Sequence, residues 1–320
     1  MKLIITANGL QDSRMAPVKE LAEEYFSSVV MNPWGRRGTQ GEIRAIWDAA
    51  DAIICGAESF DEKMIQGTPS SLKVLSHYGV GVDSIDIEAA KNRGIVVCNT
   101  PGANSTSVAE MALALILSLA KHIIPHNTHT KLGEWKRFPI FELEGKTIGI
   151  IGFGATGQAL AKMIRTFNME ILVYDPYSHD DIAKKEGVKK VDLNHLLENS
   201  DIISLHAPCT EDTFRIINRE SLSLMKETTL LINVARGDLI DEKALYHALK
   251  DRQIAGAGLD VYSREPAEKN KLFALENVVC TPHCAANTFE ARLKMGHMAV
   301  ENAYRVLMGL PGAHIVQARE

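Results

Sequence analysis

Three side chains suited to acid–base chemistry follow short apolar runs in the second half of the chain. Arg236 follows the run TLLINVA, Glu265 comes shortly after GAGLDV, and His283 follows NVVCTP. Because ligands of parallel sheets bind beyond the carboxyl ends of the strands, one edge could bring these side chains together. A guanidinium can hold a carboxylate, an imidazolium can protonate a carbonyl oxygen, and a carboxylate beside the imidazole keeps it charged. The pattern therefore predicts interconversion of a 2-oxo acid and a 2-hydroxy acid.

Each of the three residues also has an ordinary structural explanation when it is considered alone. Arg236 could be a surface ion-pair partner, Glu265 a loop charge before a proline, and His283 a satisfied loop histidine. The chemical interpretation needs a hydride donor, because an acid and a guanidinium alone cannot reduce a carbonyl. The sequence must therefore also contain a cofactor site.

A glycine-rich strand–helix turn supplies that site. Gly152, Gly154 and Gly157 form a GxGxxG pattern after the run TIGII, and a helix is predicted to begin near Ala155. The glycines permit a tight turn, close approach of a pyrophosphate, and close helix–strand packing. The next apolar run, EILVY, ends at Asp175, where a carboxylate can accept both ribose hydroxyls of NAD and repel the phosphate of NADP. NAD is the expected cofactor; the alternative is a structural turn followed by an exposed Asp-Pro turn.

Short apolar runs alternate with amphipathic stretches along the whole chain. One series lies before residue 100 (LIIT, SVVM, AIIC, KVLS, IVVC), and a second begins near residue 146 (TIGII, EILVY, DIISLH, TLLINV, IAGAGLDV, NVVCTP). Continuous apolar strands separated by helices are typical of parallel sheets buried on both faces. The sequence thus predicts an α/β protein.

Three helical segments have recognisable ends. The sequence predicts a first helix entered through Pro17, a strongly apolar helix at 104–121 capped by Asn104 or Ser105, and a closing helix after Asn287 that runs to about Met308. The lysine pairs at 184–185 and 189–190 are expected on a solvated helix face.

The composition excludes several classes of protein. The chain has 320 residues, with 35 Lys and Arg against 40 Asp and Glu, a formal charge of −5 that does not suit a nucleic-acid coat. Its longest apolar stretch is about half of the roughly 20 residues that cross a membrane. The start, MKLIITANGL, is expected to be a strand and not a signal peptide. Five scattered cysteines favour reduced thiols and a cytoplasmic setting.

The motifs, taken together and in order, resemble those of one enzyme family. They are His77-Tyr-Gly-Val-Gly-Val-Asp83, Asn99-Thr-Pro-Gly102, Ser107-Val-Ala-Glu110, the GxGxxG turn, Asn233-Val-Ala-Arg-Gly237, Asp241-Glu-Lys-Ala-Leu245, Gly258-Leu-Asp260 and Thr281-Pro-His283. On these segments the chain resembles the D-isomer-specific 2-hydroxyacid dehydrogenases, which include phosphoglycerate, glyoxylate/hydroxypyruvate and D-lactate dehydrogenases. The resemblance covers nearly the whole chain, with high specificity from about residue 52 onward.

The resemblance implies two doubly wound parallel-sheet lobes. A discontinuous, flavodoxin-like substrate-binding domain would comprise residues 1–101 and 288–320, and a Rossmann NAD-binding domain would comprise residues 102–287. The resemblance also implies a homodimer formed through the cofactor domain, which suits the apolar helix at 104–121. Trp135 resembles a residue that dimers of the family present toward the partner.

The resemblance also assigns roles to individual residues. Arg236, Glu265 and His283 match the catalytic triad, with His283 as the acid–base. Val80 and Gly81 match the loop whose N–H groups hold the substrate carboxylate, and His77 could contribute when protonated. The cofactor-binding set is Gly152, Gly154, Ala155, Thr156, Gly157, Asp175, Ala207, Pro208, Ala235 and Asp260.

The sequence is compatible with two classes of substrate, a phosphorylated and a non-phosphorylated acid. Within the family the chain most resembles the short phosphoglycerate dehydrogenase-like members, which implies 3-phosphoglycerate as one candidate substrate. Members that grip a phosphate usually carry arginines where this chain has Ile54 to Glu58 and His77. A carboxylate without an arginine repels a phosphate. A reductase of a small non-phosphorylated 2-oxo acid, such as glyoxylate, hydroxypyruvate or pyruvate, is therefore the alternative.

Two other classes remain as alternatives to an active dehydrogenase. One is an NAD-sensing interaction protein resembling the C-terminal-binding corepressors, and the other is a catalytically silent paralogue. The intact set Arg236, Glu265 and His283 argues against a silent paralogue.

Three histidines could imitate a metal-binding face. His122, His126 and His129 have i, i+4, i+7 spacing, but no carboxylate or cysteine joins them at ligand spacing. The expected chemistry needs no metal, so no metal site is predicted, and the histidines are expected on a dimer surface.

Overall fold

The structure is a computed structural model that describes residues 1–177 and 187–316. The chain forms two compact units. The first comprises residues 1–104 and 287–320, and the second comprises residues 105–286. Lys184 and Lys185 lie outside the described residues.

The first unit is built on a five-stranded parallel sheet. Its strands are β1 (Lys2–Ile5), β2 (Ser28–Met31), β3 (Ala52–Cys55), β4 (Val74–His77) and β5 (Val96–Cys98). They lie in the order β2-β1-β3-β4-β5, which is the flavodoxin-like doubly wound order. The helices are Ala16–Tyr25, Gln40–Ile46, Glu62–Gln66, Ile87–Asn92 and Phe289–Leu307, with short 3-10 turns at Asn8–Leu10 and Ser13–Met15.

Local sequence explains where these helices begin and what they cover. Thr39, Asp61, Asp86 and Thr288 each cap a helix by accepting a backbone N–H through the side chain. The last helix, Phe289–Leu307, returns to the first unit and packs on the sheet, where Ser76 Oγ donates to the carbonyl of Ala299 at 2.8 Å. The sheet is thereby covered by a segment from the far end of the chain.

The second unit is built on a seven-stranded parallel sheet. Its strands are β6 (Thr147–Ile151), β7 (Glu170–Tyr174), β8 (Lys189–Lys190), β9 (Ile202–Leu205), β10 (Leu230–Asn233), β11 (Gly256–Leu259) and β12 (Val278–Cys280). The order β12-β11-β10-β9-β6-β7-β8 is the Rossmann order with one added strand. The helices are Ser105–Ala120, Ile123–Lys131, Ala155–Ile164, Leu193–Asn199, Arg219–Leu224 and Glu242–Lys250, and 3-10 turns lie at Arg165–Phe167, Gly237–Leu239 and Lys271–Ala274.

The apolar helix Ser105–Ala120 belongs largely to the core of this unit. Its buried side chains include Leu115 and Ile116, which join the cluster that contains Ile148 and Ile232 of the sheet. A Cβ on Gly258 would lie 2.9 Å from Leu115 Cβ, so strand β11 approaches this helix closely. The helix therefore covers one face of the sheet.

The α/β class and the two parallel sheets predicted from the apolar runs are confirmed. The first helix, the apolar helix and the closing helix occur within a few residues of their predicted ends. The expectation for Lys189 and Lys190 is wrong: they form the edge strand β8, which pairs with β7. A two-residue edge strand buries too little to leave an apolar pattern in the sequence.

Two consecutive helices of the second unit are together apolar and long enough to resemble a bent membrane span. Among the described residues no single helix is long and apolar enough to cross a bilayer, whereas Ser105–Ala120 and Ile123–Lys131 together meet the length and composition test with a 61° bend between them.

Candidate active site

The carboxyl ends of all strands in the second unit lie at one edge of its sheet. The strand order places the loop after β12 at one end, followed by the loops after β11, β10 and β9, and then by the loops after β6 and β7. The order reverses between β9 and β6, which is where dinucleotides bind in doubly wound sheets. The predicted catalytic residues and the predicted phosphate loop therefore share an edge.

The glycine turn after β6 has the geometry of a phosphate loop. Gly152 has φ +91°, and a Cβ there would lie 2.5 Å from Ala207 N, so only glycine fits. A Cβ on Gly157 would lie 2.3 Å from the Gly152 carbonyl oxygen. At Gly154, by contrast, a Cβ would meet nothing within 4 Å. The turn is thus closed on its protein side and open where a ligand would lie.

The start of the following helix is available to an anion. Gly154 is the N-cap of Ala155–Ile164 and contributes no side-chain cap. Within the described chain the N–H groups of Ala155 and Thr156 donate to no acceptor, and the first helical bond is from Gln158 N to the Gly154 carbonyl. Free N–H groups at a helix N-terminus bind phosphate. These residues fit the pyrophosphate of a dinucleotide.

Asp175 lies directly after β7, beside the glycine turn. Its carboxylate accepts the N–H of Phe153 at 2.7 Å and that of Tyr177 at 2.8 Å. These bonds hold both carboxylate oxygens beside the turn. The half-buried carboxylate is therefore positioned next to the turn, as a ribose acceptor requires.

The loop after β9 packs on the glycine turn. His206 N donates to the Ile151 carbonyl at 2.7 Å, and His206 Nε2 lies 2.8 Å from Ser204 Oγ. Burial lowers the pKa of His206 to about 3, so its ring is neutral. Ala207 is buried against the turn, whereas Pro208 is exposed at the edge. The two predicted residues therefore differ in their access to a ligand.

At the other end of the edge, His283 and Glu265 form an ion pair. His283 Nδ1 lies 2.6 Å from Glu265 Oε2, and Glu265 Oε1 accepts the N–H of Tyr262 at 3.0 Å. The His283 side chain is 50% exposed, so its Nε2 side is open to a ligand. The structure thus brings together two residues that are 18 positions apart in the sequence.

The pair favours the charged imidazole. The hydrogen bond that His283 donates to Glu265 raises the pKa of His283; burial and the charge of Arg236 oppose this, and the charges of Glu265 and Asp260 add to it. Burial acts to raise the pKa of Glu265, but the hydrogen bonds from His283 and Tyr262 outweigh it and the pKa is lowered. The pair therefore favours the protonated form of His283.

Asp260 anchors the loop that carries His283. Its side chain is completely buried and accepts hydrogen bonds from Thr281 Oγ1 at 2.6 Å, Cys284 N at 2.9 Å and Ala285 N at 2.9 Å. His283 N donates to the Asp260 carbonyl at 2.8 Å, and His283 itself has φ +50°. Such a backbone conformation is uncommon outside glycine and needs support from its surroundings. Asp260 supplies that support.

A second buried polar residue, Asn233, shapes the turn that carries Arg236. Asn233 is 1% exposed; its amide donates to the Arg236 carbonyl at 2.8 Å and accepts from Ala235 N at 3.0 Å. Arg236 Nη1 donates to the Ala235 carbonyl at 2.7 Å. The next residue, Gly237, packs so closely on Tyr262 that a Cβ would lie 1.9 Å from its carbonyl carbon. The turns after β10 and β11 are therefore locked together.

Sequence reasoning did not single out the roles of Asn233, Thr281 or Tyr262. The Tyr262 hydroxyl lies 3.1 Å from the Leu259 carbonyl and 3.0 Å from that of Thr281, so it joins the ends of β11 and β12. Asn233 and Thr281 do lie in quoted motifs, and a polar residue at the end of an apolar strand is the signal that could have identified them.

Three of the predicted substrate-binding residues, His77, Val80 and Gly81, lie in the first unit around the end of β4. The carbonyls of Gly79 and Val80 accept from Thr100 N at 2.9 Å and Asn99 Nδ2 at 2.7 Å. Within the described chain the N–H groups of Val80 and Gly81 donate to no acceptor. Free N–H groups in a loop with fixed carbonyls can bind a carboxylate.

His77 lies below this loop. It is 7% exposed, and a Cβ on Gly79 would lie 2.8 Å from its Nε2. The loop backbone therefore covers the His77 ring, and this position suits support of the loop better than direct ligand contact.

Comparison with known proteins places these features in a family. The profile described as "D-isomer specific 2-hydroxyacid dehydrogenase, NAD binding domain" matches residues 113–285, more than half of the chain. This range contains the glycine turn, Asp175 and all three predicted catalytic residues.

Curated relatives of similar identity have different names. The chain is 46% identical over 270 residues to a D-3-phosphoglycerate dehydrogenase of Methanocaldococcus jannaschii, covering 83% of this chain and 52% of that protein. It is 45% identical over 274 residues to a hydroxypyruvate reductase of Thermotoga maritima, covering 83% and 88%. The chain thus spans about half the length of the phosphoglycerate dehydrogenase that it matches.

A solved structure extends the similarity to the whole chain. An acyclic imino acid reductase (Bsp5) in complex with NADPH and D-Arg has a TM-score of 0.87 and 31% identity, covering 99% of this chain and 100% of that chain. The resemblance inferred from the motifs is confirmed, as is a nicotinamide dinucleotide as cofactor. The chain belongs to the D-isomer specific 2-hydroxyacid dehydrogenase family.

Proposed function

We propose that the protein is an NAD-dependent D-2-hydroxyacid dehydrogenase that interconverts a D-2-hydroxy acid and its 2-oxo acid. The observation that carries the proposal is the His283–Glu265 pair, 2.6 Å apart, on the sheet edge that also bears Arg236 and the phosphate turn. A half-exposed imidazole with a raised pKa, on the same sheet edge as a guanidinium, suits protonation of a carbonyl next to a carboxylate.

The residues of the second unit divide the chemistry. The nicotinamide, when bound, supplies the hydride. His283 donates the proton from Nε2 to the carbonyl oxygen, Glu265 holds the imidazole through Nδ1, and Arg236 attracts the carboxylate and polarises the carbonyl. In the reverse direction neutral His283 accepts the hydroxyl proton. Asp260 keeps the His283 loop in position.

The free N–H groups of Val80 and Gly81 are assigned to an anionic group of the substrate. Their geometry supports this role because the carbonyls of the same loop are fixed by Asn99 and Thr100. His77 is assigned to support of that loop from below.

The enantiomer of the substrate tests the proposed activity. With NAD⁺, we expect oxidation of D-2-hydroxy acids such as D-glycerate or D-lactate and no oxidation of their L-enantiomers, measured by the appearance of NADH. Oxidation of the L-enantiomers alone would contradict the proposal, and absence of turnover with either enantiomer would favour the NAD-sensing interaction protein.

For the substrate we propose a small, non-phosphorylated 2-oxo acid. A carboxylate, Glu58, lies at the carboxyl edge of the first unit's sheet, in the loop after β3, and is 2% exposed. Its Oε2 accepts the N–H of Gly56 at 2.6 Å, and a Cβ on Gly56 would lie 3.4 Å from Ala7 Cα in the loop after β1. Within the described chain Glu58 forms no salt bridge. A phosphate near this edge would be repelled.

Two arginines near the same edge are already engaged. Arg292 donates to the Gly9 carbonyl and to Asp12, and Arg14 Nη2 lies 2.5 Å from Asp12 Oδ2. If either arginine bound a phosphate instead, Asp12 would lose one of its two ion-pair partners. This arrangement supports a substrate whose side chain carries no phosphate.

Removal of the Glu58 charge should change the preference between two substrates. In Glu58→Gln, the kcat/KM for 3-phosphohydroxypyruvate relative to that for hydroxypyruvate should rise about tenfold, because the repulsion is lost while an acceptor for Gly56 N–H remains. Glu62→Gln, an exposed change of the same kind four positions away, is the control and should leave the ratio unaltered. An unchanged ratio in Glu58→Gln would refute the role of Glu58.

A phosphorylated substrate is the second candidate, and the 46% identity to a D-3-phosphoglycerate dehydrogenase favours it. A wild-type kcat/KM that is higher for 3-phosphohydroxypyruvate than for hydroxypyruvate would establish it and exclude our preferred substrate class.

We further propose a homodimer formed through the second unit, in a reducing, cytoplasmic setting. Five large apolar side chains within residues 123–140 are each more than half exposed, namely Ile123, Ile124, Leu132, Trp135 and Ile140. A patch of this kind marks an interaction surface. The five cysteines, all within the described residues, form no disulfide, which suits a reducing compartment.

Trp135, which is 81% exposed, is the largest side chain of that patch. Because buried tryptophans contribute strongly to interfaces, Trp135→Ala should weaken dimerisation at least about tenfold, measured by sedimentation velocity over a dilution series. Tyr177→Ala, which removes an equally exposed aromatic ring of the same unit, should leave it unchanged. A wild-type protein that is monomeric at all concentrations, or a Trp135→Ala protein with unaltered dimerisation, would contradict this surface.

A further inference from the structure

Three histidines of the second unit pack around one aromatic ring. His122 precedes the helix Ile123–Lys131, and His126 and His129 lie within it. Their ring centroids lie 6.2, 5.3 and 5.2 Å, respectively, from that of Phe138, which belongs to the segment after the helix. Glu134 of the same segment lies 2.5 Å from His129 Nδ1, so a carboxylate joins the histidines in space.

The hydrogen bonds of His126 define its protonation state. Its Nδ1 lies 3.1 Å from the Lys121 carbonyl oxygen, so Nδ1 must carry a hydrogen. Its Nε2 accepts the backbone N–H of Phe138 at 3.0 Å, so Nε2 must have a free lone pair. Only the neutral Nδ1–H tautomer satisfies both bonds. Protonation at Nε2 would place two hydrogens against each other and break the bond to Phe138.

The bond to Phe138 is one of a few that fasten the following segment. Phe141 N donates to the Ala120 carbonyl at 3.2 Å, and Lys121 Nζ donates to the Phe141 carbonyl at 2.7 Å. Between Lys131 and Phe138 most residues are exposed, including Trp135. Residues 132–134 are also held to the helix by backbone bonds to the carbonyls of Thr128, Thr130 and His129, whereas within the described chain the N–H groups of residues 135–137 donate to no acceptor. The stretch from Trp135 to Phe138 therefore depends on the contact at His126.

We propose that His126 is a pH-sensitive latch, whose protonation releases residues 135–140 from the helix Ile123–Lys131. The patch that contains Trp135 is then remodelled in mildly acidic conditions. The latch itself does not depend on the catalytic assignment, and only its effect on self-association rests on the proposed dimer.

The charged groups around His126 fit such a latch. Lys121 and His122 lie at the start of its helix, and the charge of Arg252, after the helix Glu242–Lys250, reaches His122. Burial, together with the charges of His126 and Arg252, lowers the pKa of His122. From the segment, Glu134 faces the cluster but is shared by His129 and by Lys136 at 2.7 Å. A new charge on His126 therefore lacks a carboxylate of its own.

Amide exchange at Phe138 measures the latch directly. Because imidazoles titrate near pH 6.5, the rate is compared at about pH 7.5 and about pH 5.5. His126→Gln keeps an acceptor that does not titrate, and the ratio of wild-type to variant rates cancels the intrinsic pH dependence of exchange. We expect a ratio near 1 at the higher pH and a rise of at least about fivefold at the lower pH. His195→Gln, an exposed histidine in the same unit, should behave as the wild type.

A second measurement needs no His126 variant. The fluorescence of Trp135, obtained as the difference between wild type and Trp135→Phe, should change over the same pH range as the wild-type exchange at Phe138. A rate ratio that does not change with pH, or a Trp135 signal that stays constant across this range, would overturn the proposal. If amide exchange at Phe138 is already fast in His126→Gln at the higher pH, the variant cannot serve as a reference. The pH dependence of the Trp135 fluorescence in the wild type then tests the latch by itself.

Discussion

Alanine in place of His283 is expected to lower kcat for 2-oxo acid reduction by about 10²–10⁴-fold, the usual contribution of a positioned acid. The reason is the loss of the imidazole that Glu265 holds through Nδ1 at the sheet edge, at 2.6 Å. Steady-state kinetics with NADH measures kcat, and fluorescence titration measures the Kd of NADH. That Kd should stay within about twofold, because the change removes no proposed cofactor contact.

The pH profile separates a catalytic role from a structural one. Since Glu265 raises the pKa of His283, reduction should be fastest below that raised pKa and should decline as the pH rises through it. Glu265→Gln removes the charge, lowers the pKa, and should move the decline to lower pH. His195→Ala is the control for removal of an exposed histidine. A kcat of His283→Ala close to that of the wild type, or an unmoved profile in Glu265→Gln, would refute the acid–base assignment.

The second large effect is expected at the cofactor. Asp175→Ala should raise the KM for NADH about 10–100-fold, because the carboxylate that accepts the ribose hydroxyls is lost, and hydrogen bonds to a charged group are strong. The KM for NADPH should change far less, because the variant also loses the charge that repels its extra phosphate. Kinetics with both cofactors at a saturating 2-oxo acid measures the two values.

Asp175→Asn is the matched variant for this test. The asparagine keeps an acceptor for the N–H of Phe153 or Tyr177, so the glycine turn retains part of its support, while the negative charge is removed. Its preference for NADH over NADPH should fall as well. Equal losses with both cofactors in both variants would show that Asp175 only supports the turn, and would remove the reason for naming NAD over NADP.

The fold could be predicted in large part because its determinants are local. Continuous apolar runs identified eleven of the strands, and Pro17, Asn287 and the apolar stretch at 104–121 identified three helices. The strand β8 was not predicted because its two exposed lysines pair with β7 at the edge of the sheet and leave no apolar pattern. Strand order in both sheets depends on pairing between distant segments, and only the resemblance to a family indicated it.

The sequence indicated the chemical types of the site residues but not how they pair or what supports them. The types of Arg236, Glu265 and His283 indicated their chemistry, but the 2.6 Å pairing depends on a tertiary arrangement that no spacing encodes. The buried supports were missed for the same reason. Asp260 was matched to the nicotinamide, whereas its carboxylate accepts three hydrogen bonds that hold the ends of β12 and the His283 loop. That internal role does not test the predicted cofactor contact.

Glu134 illustrates the same limit on the surface. No carboxylate has ligand spacing with His122, His126 and His129 in the sequence, yet Glu134 lies 2.5 Å from His129 because the chain turns back after the helix. Within the described residues no group of three or more metal-binding side chains occurs. The hydrogen bonds of these histidines, and not their spacing, show what they can do.

The most direct test of the proposed activity is NADH consumption by the purified wild-type protein against hydroxypyruvate, glyoxylate, pyruvate and 3-phosphohydroxypyruvate, with chiral analysis of the products. We expect turnover of at least one of the non-phosphorylated acids and formation of the D-enantiomer wherever the product is chiral. We expect that turnover to be lost in His283→Ala. Absence of turnover with all four acids, or formation of the L-enantiomer, would contradict the proposed activity.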